Sequence, residues 1–400
     1  MLSVADAEKQ VLGAVTVLPA EDCPIEEVQG RVLRAALIAD RDLPPFDRVT
    51  MDGYALRGDL WEAGTRRFRV AGFQAAGTVP LSLPEPDACI QVMTGAVLPE
   101  GTDVVVACED ATRDGAFIQI SASIKIMVGQ AIHRRGSDRL AGAVIVRPGI
   151  RLGCREIAVA AACGYSRIKV SQRPGIAVVT TGDELVNVSA PVAAHQIRRS
   201  NDLALRAALI AAGHERVERF HLRDVRREVE RELWRLVAEH DVVVITGGVS
   251  KGKLDFVPRV LEELGVNRIV QGVDQRPGRP FWFGLSPRRT LVFALPGNPV
   301  SASVCLHRYT LPALAKMAGL HPPEPQFVVL TEAVKLSDGP TRFLPVTITP
   351  GSHGERFARP VPLNTSGDLA GLIGTAGFIE LPASCRDFVA GTSVQFWPWS

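Results

Sequence analysis

Between residues 173 and 320 the chain repeats one pattern: a short strand-like run, a loop, then an amphipathic stretch. The runs are 176–180, 217–222, 242–245 and 291–294. Apolar runs this short, bounded by turn residues, suit buried strands better than helices. The stretches between them carry helix marks. Residues 202–212 end at Gly213, a typical left-handed stop. Val225, Val229, Leu233, Leu236 and Val237 fall on one helical face, Val260 and Leu264 sit in a further helical stretch, and a long helix is predicted after 294 through about Lys316. Such alternation predicts a parallel sheet with helices on both faces. In open sheets of this kind ligands bind outside the carboxyl ends of the strands.

The loops leaving those ends are chemically unusual. They read Thr181-Gly182-Asp183-Glu184, Arg223-Asp224, Thr246-Gly247-Gly248-Val249-Ser250-Lys251-Gly252-Lys253-Leu254-Asp255, and Leu295-Pro296-Gly297-Asn298-Pro299-Val300-Ser301. Glycines let backbone N–H groups approach oxygens closely, and helix starts add partial positive charge, so the set suits a phosphate-bearing anion. Carboxylates beside phosphates repel unless a cation lies between them, and Mg²⁺ on one or two carboxylates is the usual solution. Arg276-Pro277-Gly278-Arg279 adds two guanidiniums on a stiff turn, suited to oxyanions. Taken singly, each favours a bland role: Asp183 a cap, Asp52-Gly53 a turn, and Arg276 and Arg279 surface charges. Joint placement on one predicted sheet edge favours a site. Only seven of the 45 basic residues are lysine, and two of them, Lys251 and Lys253, share one loop. They face either the ligand or solvent.

Several function classes are excluded or disfavoured. The formal charge of +2 and the lack of a basic tail give no field for nucleic acid or anionic lipid. Aromatic residues are 6% of the chain, too sparse for a base-stacking platform. No apolar run approaches the ~18 residues of a membrane span, and Asp6 and Glu8 stand where a signal peptide would be basic and apolar. Seven scattered cysteines without a CxxC favour a reducing cytoplasm over disulfides or a thiolate zinc site. No HxxxH pair occurs, which disfavours a histidine-based metal centre.

At ~150 residues per domain, 400 residues imply two to four domains. Residues 1–46 and 139–172 are predicted to form a discontinuous helical linker domain, with an apolar helix around 156–163. Residues 47–138 show short strand-type runs (68–70, 89–93, 104–106, 117–120, 124–127) broken by turns, and read as an inserted β-rich domain. Residues 173–320 are the α/β domain, and 323–400 a small C-terminal β-barrel or sandwich.

Motifs along nearly the whole chain resemble those of the MoeA family of molybdopterin molybdenumtransferases, which includes the E domain of gephyrin. They are Leu43-Pro44-Pro45-Phe46-Asp47 with Met51-Asp52-Gly53-Tyr54-Ala55, Met93-Thr94-Gly95-Ala96 with Pro99-Glu100-Gly101, and Arg135-Gly136-Ser137-Asp138. Thr181-Gly182-Asp183-Glu184-Leu185, Ser200-Asn201, Thr246–Ser250, Leu295–Ser301 and Ser366-Gly367-Asp368-Leu369 follow in the family's order. The resemblance implies a four-domain, elongated homodimer that inserts molybdate into adenylylated molybdopterin with Mg²⁺, releasing AMP and molybdenum cofactor. It also implies a molybdopterin adenylyltransferase upstream and apo-molybdoenzymes downstream as partners. By motif match, Glu184, Asp224 and Asp255 fall at metal or catalytic positions. Asp52, Thr94 and Asp138 match positions contributed by the second domain, Asp52 as a catalytic residue and Thr94 and Asp138 as substrate-binding ones. Thr181, Gly182, Asp183, Gly247, Gly248, Ser250, Lys251, Lys253, Arg276, Arg279, Pro296, Gly297, Asn298 and Ser301 match substrate-binding positions. There are three departures: Lys253 replaces the usual acidic residue, Arg276 and Arg279 replace lysines, and Arg198-Arg199 replaces Tyr-Asp; the first and third make the site more cationic. A tungstate-handling paralogue and a non-catalytic cofactor-binding or delivery scaffold are the alternatives.

Overall fold

The computed structural model describes residues 1–248 and 256–399. They fall into two compact units. The first comprises Met1–Arg34, Gly149–Gly153 and Ile168–Ser400; the second comprises Ala35–Pro148 and Cys154–Arg167.

The chain opens with helix α1 (Val4–Ala14), whose Ser3 hydroxyl accepts from the Asp6 amide at 3.1 Å and caps the first turn. Val4, Ala7 and Val11 lie on its buried face. Helix was predicted across residues 1–46 and is confined here to α1. Beyond it come a strand at Ala20–Pro24, a 3₁₀ turn at Ile25–Glu27 and a strand at Leu37–Ile38. Pro19 and Pro24 supply no amide to continue a helix. Val28, Val32 and Leu37 are buried, but from irregular and extended backbone.

The second unit holds strands β1 (Gly53–Leu56), β2 (Arg67–Gln74), β3 (Ala88–Val92), β4 (Val104–Ala107), β5 (Ala111–Asp114) and β6 (Phe117–Ile120), in the order β4-β1-β3-β2-β6-β5. Alternation sorts the side chains: Tyr54, Leu56, Val104 and Val106 enter one cluster, Ala55, Val105, Ile90 and Val92 the other. Both faces of the central strands are therefore covered. The run at 124–127 is not a strand; Ile124 and Ile126 pack against the first cluster without pairing. Helix α2 (Cys154–Ala162) lies where an apolar helix was predicted.

The first unit carries β7 (Ile176–Thr181), α3 (Asn201–Ala211), β8 (Val217–Leu222), α4 (Arg226–Glu239), β9 (Val242–Thr246), α5 (Val257–Glu263), β10 (Asn267–Gln271), β11 (Gln275–Arg276), β12 (Trp282–Leu285), β13 (Leu291–Leu295), α6 (Pro299–Cys305) and α7 (Leu311–Met317). The sheet order is β8-β7-β9-β13-β12-β10. Ile176, Val178, Val242, Val244, Leu291 and Phe293 face a core shared with α1 and α3. Ala177, Val179, Val243, Ile245, Val292 and Ala294 face a second core under α4 and α5. Burial on both faces is why these strands read as continuous apolar runs. Each such valine or leucine contributes roughly 1.5–3 kcal/mol.

One expectation needs correcting. The sheet is mixed rather than parallel, because β12 runs antiparallel to both of its neighbours, β13 and β10. The link between β12 and β13 is only residues 286–290, far too short for a crossover, so it closes as a hairpin. The predicted long helix is present through Met317 but passes through a π-helical turn at Leu306–Thr310. Pro312 lacks the amide that an α-helical ladder would need there.

The C-terminal strands β14 (Gln326–Leu330), β15 (Thr341–Pro350), β16 (Arg356–Pro360), β17 (Gly377–Leu381) and β18 (Ser393–Pro398) close into a barrel. The ten-residue β15 pairs with β17 through its first half and with β16 through its second, which leaves no open edge. Strand β11 also joins β15, in parallel, with Gln275 opposite Thr341 and Arg276 opposite Arg342. Among the described residues no helix is long and apolar enough to cross a membrane.

Candidate functional site

Parallel register brings the ends of β8, β7, β9 and β13 to one edge. The loops there are fastened by one residue. Asn201, at the start of α3, donates from Nδ2 to the Thr246 hydroxyl at 3.1 Å and to the Gly297 carbonyl at 2.7 Å. Thr246 in turn donates to the Pro296 carbonyl at 3.0 Å. The loops after β9 and β13 thus share one hydrogen-bonded knot.

Gly247 and Gly248 have φ of +96° and +67°, a region that favours glycine. A Cβ on Gly247 would lie 2.8 Å from the Thr181 carbonyl, and one on Gly248 would lie 2.7 Å from Val257 Cγ2. Both positions are also 3.0 Å from Thr181 Oγ1. That hydroxyl is buried and has no hydrogen-bond partner among the described residues. A buried hydroxyl left open at the meeting point of two strand ends suits a ligand oxygen.

The acidic residues sit at the β7 and β8 ends. Asp183 Oδ1 accepts from the Asp224 amide at 3.3 Å and lies 3.5 Å from Arg223 Nε. The Glu184 carboxylate folds over Gly182, where a Cβ would be 2.6 Å from its Oε2. Ser250, Lys251, Lys253 and Asp255 lie outside the described residues.

A cleft of about 1100 Å³ runs between the α/β domain and the barrel. Arg276, Arg279, Pro296, Asn298, Ser301, Arg342 and Ser366 all line it. Asn298 donates to the Ser366 hydroxyl at 2.6 Å, and the Val300 amide to the Ser366 carbonyl at 3.2 Å, so the barrel loop is pinned to the start of α6. Arg342 is the unexpected member. It stands beside Arg276 across the β11–β15 pairing. Burial, and then the neighbouring Arg276 charge, lowers its pKa. Its Nε is buried without a hydrogen-bond partner among the described residues. Two adjacent guanidiniums facing a cleft, one of them partly desolvated and incompletely bonded, form a receptor for an oxyanion.

Asp52, Thr94 and Asp138 belong to the second unit. Asp52 Oδ1 accepts from the Thr94 amide at 2.8 Å and its hydroxyl at 2.7 Å, and these bonds hold its carboxyl below the usual carboxylate range. Asp138 pairs with His133 Nε2 at 2.9 Å. Asp47 of the PPFD motif accepts from the Arg135 amide at 2.8 Å and from Arg134 Nη1 at 2.6 Å, which gives that motif a structural duty.

Three family profiles cover the chain in order: the MoeA N-terminal region (domain I and II) over residues 2–164, a probable molybdopterin binding domain over 177–316, and the MoeA C-terminal region (domain IV) over 328–399. The molybdopterin molybdenumtransferase of Synechocystis sp. is 37% identical over 371 residues, spanning 92% of this chain and 93% of that protein. The chain belongs to the MoeA family of molybdopterin molybdenumtransferases. The Bacillus subtilis enzyme of the same name is 30% identical over 400 residues, covering 94% of this chain and 91% of its own. Among solved structures, a molybdopterin biosynthesis MoeA protein from Pyrococcus horikoshii superposes with a TM-score of 0.84 at 29% identity, covering 100% of this chain and 99% of its own.

Sequence reasoning missed Arg342 as a site residue. It noticed Asn201 and Ser366 only as motif letters. An arginine within a strand carries no mark of its own, and only the parallel pairing of β11 with β15 sets Arg342 beside Arg276.

Proposed function

We propose that this chain carries out the transfer for which its family is named, inserting molybdenum from molybdate into adenylylated molybdopterin and releasing AMP and molybdenum cofactor. One observation supports this above all. Arg276, Arg279 and Arg342 line a cleft of about 1100 Å³ that also reaches Pro296, Asn298 and Ser301 of the strand-end loops. An oxyanion receptor and a glycine-lined phosphate cradle thus lie within one unit, as a reaction between molybdate and a pterin phosphate requires.

The residues divide the work. Backbone around Gly247 and Gly248 takes phosphate oxygens at close range, where a side chain would collide. Thr181 offers its open hydroxyl to the same ligand. The guanidiniums orient the tetrahedral oxyanion and counter its charge. Among the described residues no three His, Cys, Asp or Glu side chains form a metal cage. Mg²⁺ does not need one, since phosphate oxygens and water complete its shell. Oxygen donors are the right chemistry for it, and Asp183, Glu184 and Asp224 supply them at this edge. When bound there, Mg²⁺ would neutralise phosphate charge. We also propose a homodimer, with Asp52, Thr94 and Asp138 serving the reaction from the second unit.

Complementation tests the activity. The gene should restore molybdoenzyme activity to a strain lacking its transferase, and an Asn201→Ala variant should restore it only weakly. Restoration by molybdopterin binding alone, with no AMP released by the purified protein, would instead favour the scaffold. Metal analysis of the product with molybdate and tungstate supplied together separates the two oxyanions.

A further inference from the structure

The Arg276–Arg279 turn has a buried underside at the floor of the cleft. Gln275, which immediately precedes it, is fully buried. Its Oε1 accepts from the Tyr309 hydroxyl. Its Nε2 donates to the Pro277 carbonyl at 3.1 Å and reaches Cys305 Sγ at 3.6 Å. The Cys305 thiol points on to the Gly278 carbonyl at 3.6 Å. Both inner carbonyls of the turn are therefore held from below by one closed polar ring. Tyr309 and Cys305 are themselves buried, and Tyr309 stacks on Phe281 with ring centroids 4.5 Å apart. Gly278 fits the ring closely. A Cβ there would lie 2.5 Å from Gln275 Nε2 and 2.6 Å from Cys305 Sγ.

We infer that Gln275 is a positioning residue for oxyanion capture: the Tyr309–Gln275–Cys305 ring fixes the turn so that Arg276 and Arg279 are presented together to the cleft. A primary amide is the group that serves. It accepts at one end and donates twice at the other, matching the hydroxyl, carbonyl and thiol around it. Two exposed arginines on a loose turn would lose conformational freedom on binding, and the ring removes much of that cost beforehand. This inference rests on the proposed function in taking the two arginines as oxyanion ligands.

Calorimetric titration with molybdate at pH 7.5 tests it on the full-length protein. Arg279→Ala is the control for the site. If it leaves the dissociation constant unchanged, the oxyanion assignment fails. If Arg279→Ala weakens binding, Gln275→Met should raise the constant about tenfold, the worth of roughly one hydrogen bond. Tyr309→Phe keeps the core packing and should give a smaller rise in the same direction. Unchanged binding in both folded variants would overturn the positioning role while leaving the site intact. Gln275→Glu provides a pH readout, with sulfate as a dianion that keeps its charge from pH 5 to 8. The introduced carboxyl donates to the Pro277 carbonyl only when protonated. Sulfate affinity in that variant should therefore recover as pH falls, against a flatter profile in the parent. A lowered melting temperature with parallel pH profiles would mean that Gln275 is structural only.

Discussion

Replacing Arg342 by methionine should stabilise the empty protein and weaken it toward anions. Neighbouring strands lie about 4.8 Å apart, so two guanidiniums on one face approach to roughly 6 Å. At an effective dielectric of about 20 their repulsion is roughly 3 kcal/mol. Arg276 is exposed, and solvent and salt reduce this to about 1 kcal/mol. The unbonded Arg342 Nε adds a desolvation cost of about 1 kcal/mol or more. Methionine keeps much of the apolar stem contact and removes both penalties. Setting about 1 kcal/mol of lost stem contact against the roughly 2 kcal/mol removed leaves a net stabilisation of about 1 kcal/mol, a rise of roughly 2 °C in melting temperature for a unit of this size. Anion binding should move the other way. Loss of a charge-assisted hydrogen bond costs roughly 1.5–3 kcal/mol, or at least a tenfold weaker complex. The assay is thermal unfolding of parent and variant, with and without molybdate, at ionic strength held constant with chloride. A variant that melts lower than the parent yet shows the same molybdate-induced shift would refute the reasoning.

Asn201→Ala removes the bonds to Thr246 and Gly297, and with each worth about 1 kcal/mol the melting temperature should fall by a few degrees while transfer falls ten- to a hundredfold; steady-state AMP release measures this, and near-parental turnover would contradict it. Burial, helped by the Arg151 charge, depresses the His214 pKa to about 4. The folded state then holds His214 neutral while the unfolded chain protonates below about pH 6.5, so stability should decline between pH 6.5 and 4, by at most roughly 3 kcal/mol. Urea titrations of parent and His214→Gln at pH 7.5 and 4.5 should show a smaller acid loss in the variant. If the proposed dimer shares its sites, inactive Asp52→Ala and Asp255→Ala proteins, dissociated and mixed equally, should recover about a quarter of parental activity by random pairing; no recovery despite proven subunit exchange would assign each site to one chain.

How much was legible before the structure depends on what each feature leaves in the sequence. Strands β7, β9 and β13 were readable because burial on both faces demands unbroken apolar runs. Strand β10 (Asn267–Gln271) is short, half polar and at the sheet edge, and alternation gives it no comparable signal. Nor does sequence periodicity state direction, so the mixed sheet emerged only through the β12–β13 hairpin. At the N-terminus Val28 and Val32 are buried without being helical, because two prolines decided the backbone. Glycines, Arg276 and Arg279 were visible because a tight turn marks itself. Arg342, Gln275 and Ser366 acquire their meaning from contacts between distant segments, which no local spacing records.

The most direct measurement is a single-turnover experiment with purified protein, adenylylated molybdopterin, molybdate and Mg²⁺, in which AMP release and molybdenum held by the pterin are counted together. The account predicts one AMP released for each molybdenum inserted, with both lost in parallel in an Arg276→Ala, Arg279→Ala double variant that still binds the pterin nucleotide. Molybdenum-independent AMP release at the full rate, or undiminished insertion in the double variant, would contradict it.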